Sequence, residues 1–167
     1  DGVFQVFSSD HAPYSFDAKG KLAKGPNPSF KEIGNGVPGL EIRLPMLFSE
    51  GVRQKRIDIH QFVALTATNH AKLYGLYPRK GTIAVGSDAD LVVVDLDLER
   101  VVRAEDLQGM SDFSPFEGKA LRGWPVATIK GGRIIARDGK IVAKANGRYL
   151  PRKPAPARHF EWFGRSA

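Results

Sequence analysis

The chain opens on a short apolar run, Val3-Phe4-Gln5-Val6-Phe7, followed by Ser8-Ser9-Asp10-His11-Ala12-Pro13. An apolar run that ends in small residues, an acid, a histidine and a proline predicts a buried strand over 3–7, delivering Asp10 to a loop. Residues 12–39 then lose all periodicity: Lys19-Gly20-Lys21, Gly25-Pro26-Asn27-Pro28 and Gly34-Asn35-Gly36-Val37-Pro38-Gly39 are turn formers. A loop of this length in a compact protein is usually a lid or a binding loop, and Phe16, Phe30 and Ile33 offer it anchoring points.

Helical spacing begins at residue 40. Leu44, Leu47 and Phe48 share a face, which predicts a helix over 40–51 with Pro45 in its first turn. Asp58, just before Ile59-His60-Gln61-Phe62-Val63-Ala64-Leu65, is placed to cap a second helix. Thr68 or Asn69 is placed to cap a third over 71–74, stopped at Gly75 and Pro78. After Lys80 the pattern turns to strands. Leu91-Val92-Val93-Val94-Asp95-Leu96 predicts a buried β-branched strand, Val101-Val102 a short extended piece, and residues 124–130 a further strand. Gly131-Gly132 and Asp138-Gly139 are turn signals framing 133–137 and 140–143 as hairpin strands. From Ala145 onward Pro and Arg dominate, predicting an extended tail whose Phe160, Trp162 and Phe163 need somewhere to dock.

Composition narrows the function. At 42% hydrophobic residues, the 167-residue chain is expected to pack a core. No apolar run approaches the ~18 residues of a membrane span, and no basic start followed by an apolar stretch marks a signal peptide. With no cysteine there is neither a disulfide framework nor a thiolate metal site. A cytoplasmic setting fits this composition. The net charge of +7 raises nucleic-acid binding. However, the Lys and Arg residues are scattered, and neither an RNA-binding aromatic motif nor a zinc-finger spacing is present, so a solvated basic surface is the better reading. No nucleic-acid or membrane partner is expected.

Candidate chemistry starts at Asp10. The C-terminal ends of strands carry the catalytic and metal-binding groups of parallel α/β barrels, and Asp10-His11 is the only adjacent Asp/His pair. A hydrolytic zinc takes three protein ligands and an open position. His60, His70 and His159 are dispersed, with no H-x-H or H-E-x-x-H spacing, and surface or capping roles suit His60 and His70 better. No nucleophile elbow, P-loop or dinucleotide fingerprint is present. The segment Gly86-Ser87-Asp88-Ala89-Asp90 reads as a tight turn rather than an acidic metal loop, and Glu117 with Arg122 reads as a structural pair.

Seven blocks occur in a telling order. They are Ser8-Ser9-Asp10-His11-Ala12-Pro13, Gly34-Asn35-Gly36-Val37-Pro38-Gly39-Leu40-Glu41, Leu47-Phe48-Ser49-Glu50-Gly51-Val52, Thr66-Ala67-Thr68-Asn69, Gly81-Thr82-Ile83-Ala84-Val85-Gly86-Ser87-Asp88-Ala89-Asp90-Leu91, Ser114-Pro115-Phe116-Glu117-Gly118 and Gly147-Arg148-Tyr149-Leu150-Pro151-Arg152. Together, from residue 3 to about residue 153, they closely resemble the C-terminal part of dihydropyrimidinases and hydantoinases, cyclic-amide hydrolases of the amidohydrolase superfamily.

The resemblance implies an α/β fold: a (β/α)8 metal-dependent hydrolase barrel and a β-sandwich built from both ends of the chain. A barrel alone takes ~250 residues, so the expectation is a fragment. Residues 1–78 would be the last barrel strand and its helices, 79–144 the C-terminal share of the sandwich, and 145–167 a tail suited to oligomer contact. Asp10 matches the aspartate that ligates one of two zinc ions and acts as general base on the metal-bridging hydroxide. Asn35 matches a position whose backbone grips the cyclic imide, and His11 is expected to support the site from behind. The remaining metal ligands have no counterpart here. The resemblance further implies a homo-oligomer, a dimer or tetramer. Two other readings share the motifs: a non-catalytic dihydropyrimidinase-related scaffold, and an allantoinase or other cyclic-amide hydrolase.

Overall fold

The computed structural model describes residues 3–109, 111–144 and 146–152. The chain forms a helical half followed by one antiparallel sheet. Helix α1 (Arg43–Leu47) runs into a π-helical turn, Phe48–Val52; α2 (Ile59–Val63) runs through a second such turn, Ala64–Thr68, into α3 (Asn69–Leu73). Strands β1 (Leu91–Val101), β2 (Ala120–Lys130), β3 (Arg133–Arg137) and β4 (Lys140–Ile141) pair in sequence order. A 3-10 turn, Ala104–Asp106, follows β1.

Several predicted boundaries hold for local reasons. Pro45 is the third residue of α1 and is buried, in the first turn where its missing N–H costs nothing. Asp58 forms a capping box. Its carboxylate accepts the Gln61 N–H at 2.7 Å, and the Gln61 side chain accepts the Asp58 N–H at 2.9 Å. Gly75 ends α3 with φ at 68°. Both hairpin turns carry positive φ at their two central residues, Gly131-Gly132 and Asp138-Gly139, as tight hairpins require. Pro125 is tolerated inside β2 because the ladder shifts register beside its partner, Val94.

Other expectations are corrected. The third helix has no cap of its own: helical backbone is continuous from Ile59 to Leu73, because the polar groups read as caps are used in tertiary contacts. Thr68 Oγ1 donates to the Gly81 carbonyl at 2.7 Å, and buried Asn69 donates to the Gln5 carbonyl at 2.7 Å. Residues 3–7 are not a strand among the described residues. Lacking a neighbouring extended segment, they are held by helices instead: the Phe7 N–H bonds Leu65 O at 2.9 Å, and the Phe7 carbonyl accepts from His70 Nε2 and Arg43 Nη1. Phe4 is accordingly 81% exposed. His70 is thus a tether rather than a surface group, while His60 is exposed as expected. Strand β1 exists but is not buried, since among the described residues no layer covers Val92, Val93 and Leu96. Glu117 and Arg122 do not pair with each other. Arg122 Nε bonds Glu99 at 2.6 Å across the β1–β2 ladder, and Glu117 caps the Ala104 N–H at 2.8 Å near Arg103.

The core joins the two halves. Ile42 packs with Val102, Leu121 and Trp124, all 8% exposed or less, with Met46, Leu98 and Leu107 around them. Phe48 meets Phe62 edge-to-face at a centroid distance of 5.8 Å, a contact of about 1 kcal/mol beyond its area. Gly123 lets β2 approach this pair: a Cβ there would lie 2.1 Å from the Phe48 ring, and its φ is 84°. This docking fixes Ile42, and with it the loop that runs from Gly34 to Glu41. Phe160, Trp162, Phe163 and His159, in the predicted tail, lie outside the described residues.

Candidate functional site

Asp10 is exposed, sits at φ 46°, and among the described residues its carboxylate has no hydrogen-bond or ionic partner. A non-glycine residue in the left-handed region costs conformational energy, less for Asp than for most residues, and such strain concentrates at functional positions. The turn at Asp10 swings the chain so that His11 and Ala12 lie against residues 36–40. The Ala12 N–H donates to Val37 O at 3.1 Å. His11 Nδ1 accepts from the Gly39 N–H at 3.1 Å and from the Leu40 N–H at 3.4 Å. With Nδ1 as acceptor, the proton of the neutral ring sits on Nε2. Gly36 (φ 95°) passes so close to Ala12 that a Cβ would meet the Ala12 methyl at 2.5 Å. The fold therefore brings the segment carrying Asp10 and His11 beside the loop that carries Asn35. His11 bonds the backbone at Gly39 and Leu40.

The long loop is ordered by anchors spread along it. Phe16 meets Phe113 edge-to-face at 5.5 Å, and its N–H donates to Asp112 at 2.8 Å. Ser111 Oγ donates to Tyr14 O at 2.8 Å, and the Gln108 N–H donates to Glu41 at 2.7 Å. Phe16 is thus an anchor as predicted. Phe30 is 81% exposed and is not one.

Sequence reasoning passed over Lys21 and Arg43. Lys21 is 6% exposed, and its ammonium donates to the carbonyls of Gly34 and Gly36, on either side of Asn35. Arg43 donates to the Phe7 carbonyl, three residues before Asp10, and burial pulls its pKa down; its Nε has no partner among the described residues. Nothing in a run of Lys and Gly, or in one arginine on a helix, distinguishes such residues from solvated charges.

The acidic segment at 86–90 is a structural ion cluster. Lys80 bonds Asp88 at 2.8 Å and also bonds Asp90, Arg79 bonds Asp88 at 3.0 Å, and Asp90 accepts the Gly131 N–H at 2.7 Å. Its hydrogen bonds to Lys80 hold Asp88 below the usual aspartate range, as they do Asp90. A concavity of about 860 Å³ lies over the sheet between Arg100, Trp124 and Arg137 and contains neither Asp10 nor Asn35.

No group of three or more His, Cys, Asp or Glu among the described residues can hold a metal. Asp10, a free exposed carboxylate, fits one ligand position of a site that other residues would complete. Chemically, the arrangement offers an oxygen ligand or proton acceptor on a segment tied to a glycine-rich loop.

Residues 1–135 match the amidohydrolase family, and the chain belongs to it. It is 43% identical over 153 residues to a D-hydantoinase from Geobacillus stearothermophilus, covering 91% of this chain and 32% of that protein. A D-phenylhydantoinase from Escherichia coli is 39% identical over 155 residues, 92% of this chain and 33% of that one. Among solved structures, the D-hydantoinase of Bacillus sp. AR9 superposes with a TM-score of 0.86 at 42% identity, over 92% of this chain and 33% of that one. The dihydropyrimidinase of Brevibacillus agri NCHU1002 gives 0.78 at 41% identity, over 84% and 30%. The chain thus spans about a third of the length of the relatives it matches.

Proposed function

We propose that this chain supplies the C-terminal wall of a cyclic-amide hydrolase that opens dihydropyrimidine or hydantoin rings. The observation that carries the reading is Asp10, at positive φ with a carboxylate free of partners among the described residues, on the segment tied to the Asn35 loop, in a chain about 40% identical to hydantoinases. Zinc at such a site would lower the pKa of the attacking water and polarise the scissile carbonyl. Asp10 would hold one metal position, take a proton from the water as oxygen bonds to the ring carbonyl carbon, and return it to the ring nitrogen as the C–N bond breaks. The Asn35 backbone would hold the imide, and His11 would keep the two segments in register. The homo-oligomer and the cytoplasmic setting belong to the same proposal.

The experiment is turnover of hydantoin, dihydrouracil and allantoin by the complete polypeptide that carries this segment. Hydrolysis of hydantoin or dihydrouracil, with kcat falling at least ~10³-fold in Asp10→Asn, is expected. A complete polypeptide that takes up no metal and hydrolyses none of the three would favour the scaffold reading, and hydrolysis of allantoin alone the allantoinase. The 167-residue chain by itself should bind zinc weakly and hydrolyse nothing.

A further inference from the structure

Among the described residues, Lys21 is a buried cation whose partners are two backbone carbonyls and an aromatic ring. It is 6% exposed, forms no ion pair with any described carboxylate, and its Nζ lies 5.3 Å from the Tyr14 ring centroid. A buried ammonium persists only where its donors are used. Here they go to Gly34 O and Gly36 O, while the ring face supplies a further stabilising contact. The same Tyr14 ring borders Gly34, where an added Cβ would come within 3.5 Å of it.

The consequence for Asn35 follows from peptide geometry. The Gly34–Asn35 peptide is trans, and in a planar trans peptide the C=O of one residue and the N–H of the next point in opposite directions. Pulling Gly34 O onto Lys21 therefore turns the Asn35 N–H away from it, and pulling Gly36 O onto the same atom stops the loop from rolling back. Among the described residues nothing accepts from the Asn35 N–H. Two further ties, Ala12 N–H to Val37 O and Gly39 N–H to His11, keep this stretch beside Asp10.

We propose that Lys21 is a positioning residue that aims the Asn35 N–H as a preset donor for a carbonyl oxygen of the cyclic imide. This rests on the cyclic-amide reading for the identity of the acceptor, but the clamp itself does not. A donor fixed in advance lowers the ordering cost of binding, so its loss should appear mainly in KM.

The test uses the complete polypeptide, with Lys21→Met removing the ammonium and Lys21→Arg keeping a charged donor. Hydrogen exchange is followed over residues 34–40, with 120–130 as internal reference, and KM and kcat are measured on hydantoin and dihydrouracil. In Lys21→Met, exchange over 34–40 should rise at least tenfold against an unchanged reference. KM should rise about tenfold or more with kcat within about threefold, metal content should be unchanged, and Lys21→Arg should recover part of the KM. Unchanged exchange over 34–40 in Lys21→Met overturns the clamp, whatever the protein hydrolyses. Faster exchange with unchanged KM overturns the aiming role. A metallated wild type that hydrolyses no cyclic amide overturns the functional reading and the imide acceptor with it, while faster exchange in the same protein still upholds the clamp. Global faster exchange in both variants would overturn a positioning role in favour of a purely structural one.

Discussion

His11 Nδ1 accepts the Gly39 N–H at 3.1 Å, from a residue 28 positions further along the chain. That bond, with Ala12 N–H to Val37 O, makes the Asp10 turn and the Asn35 loop one unit. Replacing His11 by Ala leaves the Gly39 and Leu40 N–H groups without their acceptor. A cost of about 1–2 kcal/mol is expected, and exchange at Gly39 and Leu40 should accelerate. Denaturant midpoints and residue-resolved exchange check this. If both amides stay protected in His11→Ala, the clamp is not what holds the loop.

Gly123 tests the joint between helix and sheet. Gly123→Ala sets a methyl against the Phe48 ring and places a side chain at φ 84°. Both effects destabilise, together by roughly 2–4 kcal/mol, and Phe48→Ala in the same chain should make the second substitution less costly. A double-mutant cycle in urea that comes out additive would show that the two positions are not in contact.

The ion cluster at Lys80 sets a pH dependence with two limbs. Asp88 and Asp90 are held below their ordinary value of 3.8 by hydrogen bonds to Lys80. Their contribution is present above that value and is lost as pH falls through the lower folded pKa values. For Lys80, burial pulls downward, but its bonds to Asp88 and Asp90 win and raise it above 10.5. That contribution is full below 10.5 and is lost as pH climbs through the raised folded value. Lys80→Met should therefore flatten the stability profile at both its acid and alkaline ends, measured as urea midpoints against pH. A profile that keeps both limbs in the variant would place the titration elsewhere.

Half of the candidate site is legible in the sequence. Asp10 announced itself, because an acid at the end of an apolar run beside a proline is a local signal. Asn35 was visible only through its resemblance to relatives, since Asn between glycines otherwise reads as a turn. Lys21 was illegible: its role depends on two carbonyls 13 and 15 residues away, and its neighbours Gly20 and Lys19 suggest a solvated loop. The strand expected over 3–7 failed for a related reason, because a ladder requires a partner, and helical side chains take its groups instead.

What the sequence determined by itself is what lies within a few residues: the Asp58–Gln61 capping box, the stop at Gly75, both hairpin turns, and Pro45 in the first helical turn. These depend on dihedral limits and on donors and acceptors that the chain's own connectivity keeps close. The tertiary structure alone decided that Thr68 and Asn69 are cross-links rather than caps, that Arg122 takes Glu99 instead of Glu117, and that a lysine is buried against the carbonyls of Gly34 and Gly36. Each of those choices is a competition among partners far apart along the chain. Packing Ile42 onto Val102, Leu121 and Trp124 settles it, by bringing one set of partners within reach and leaving the others in water.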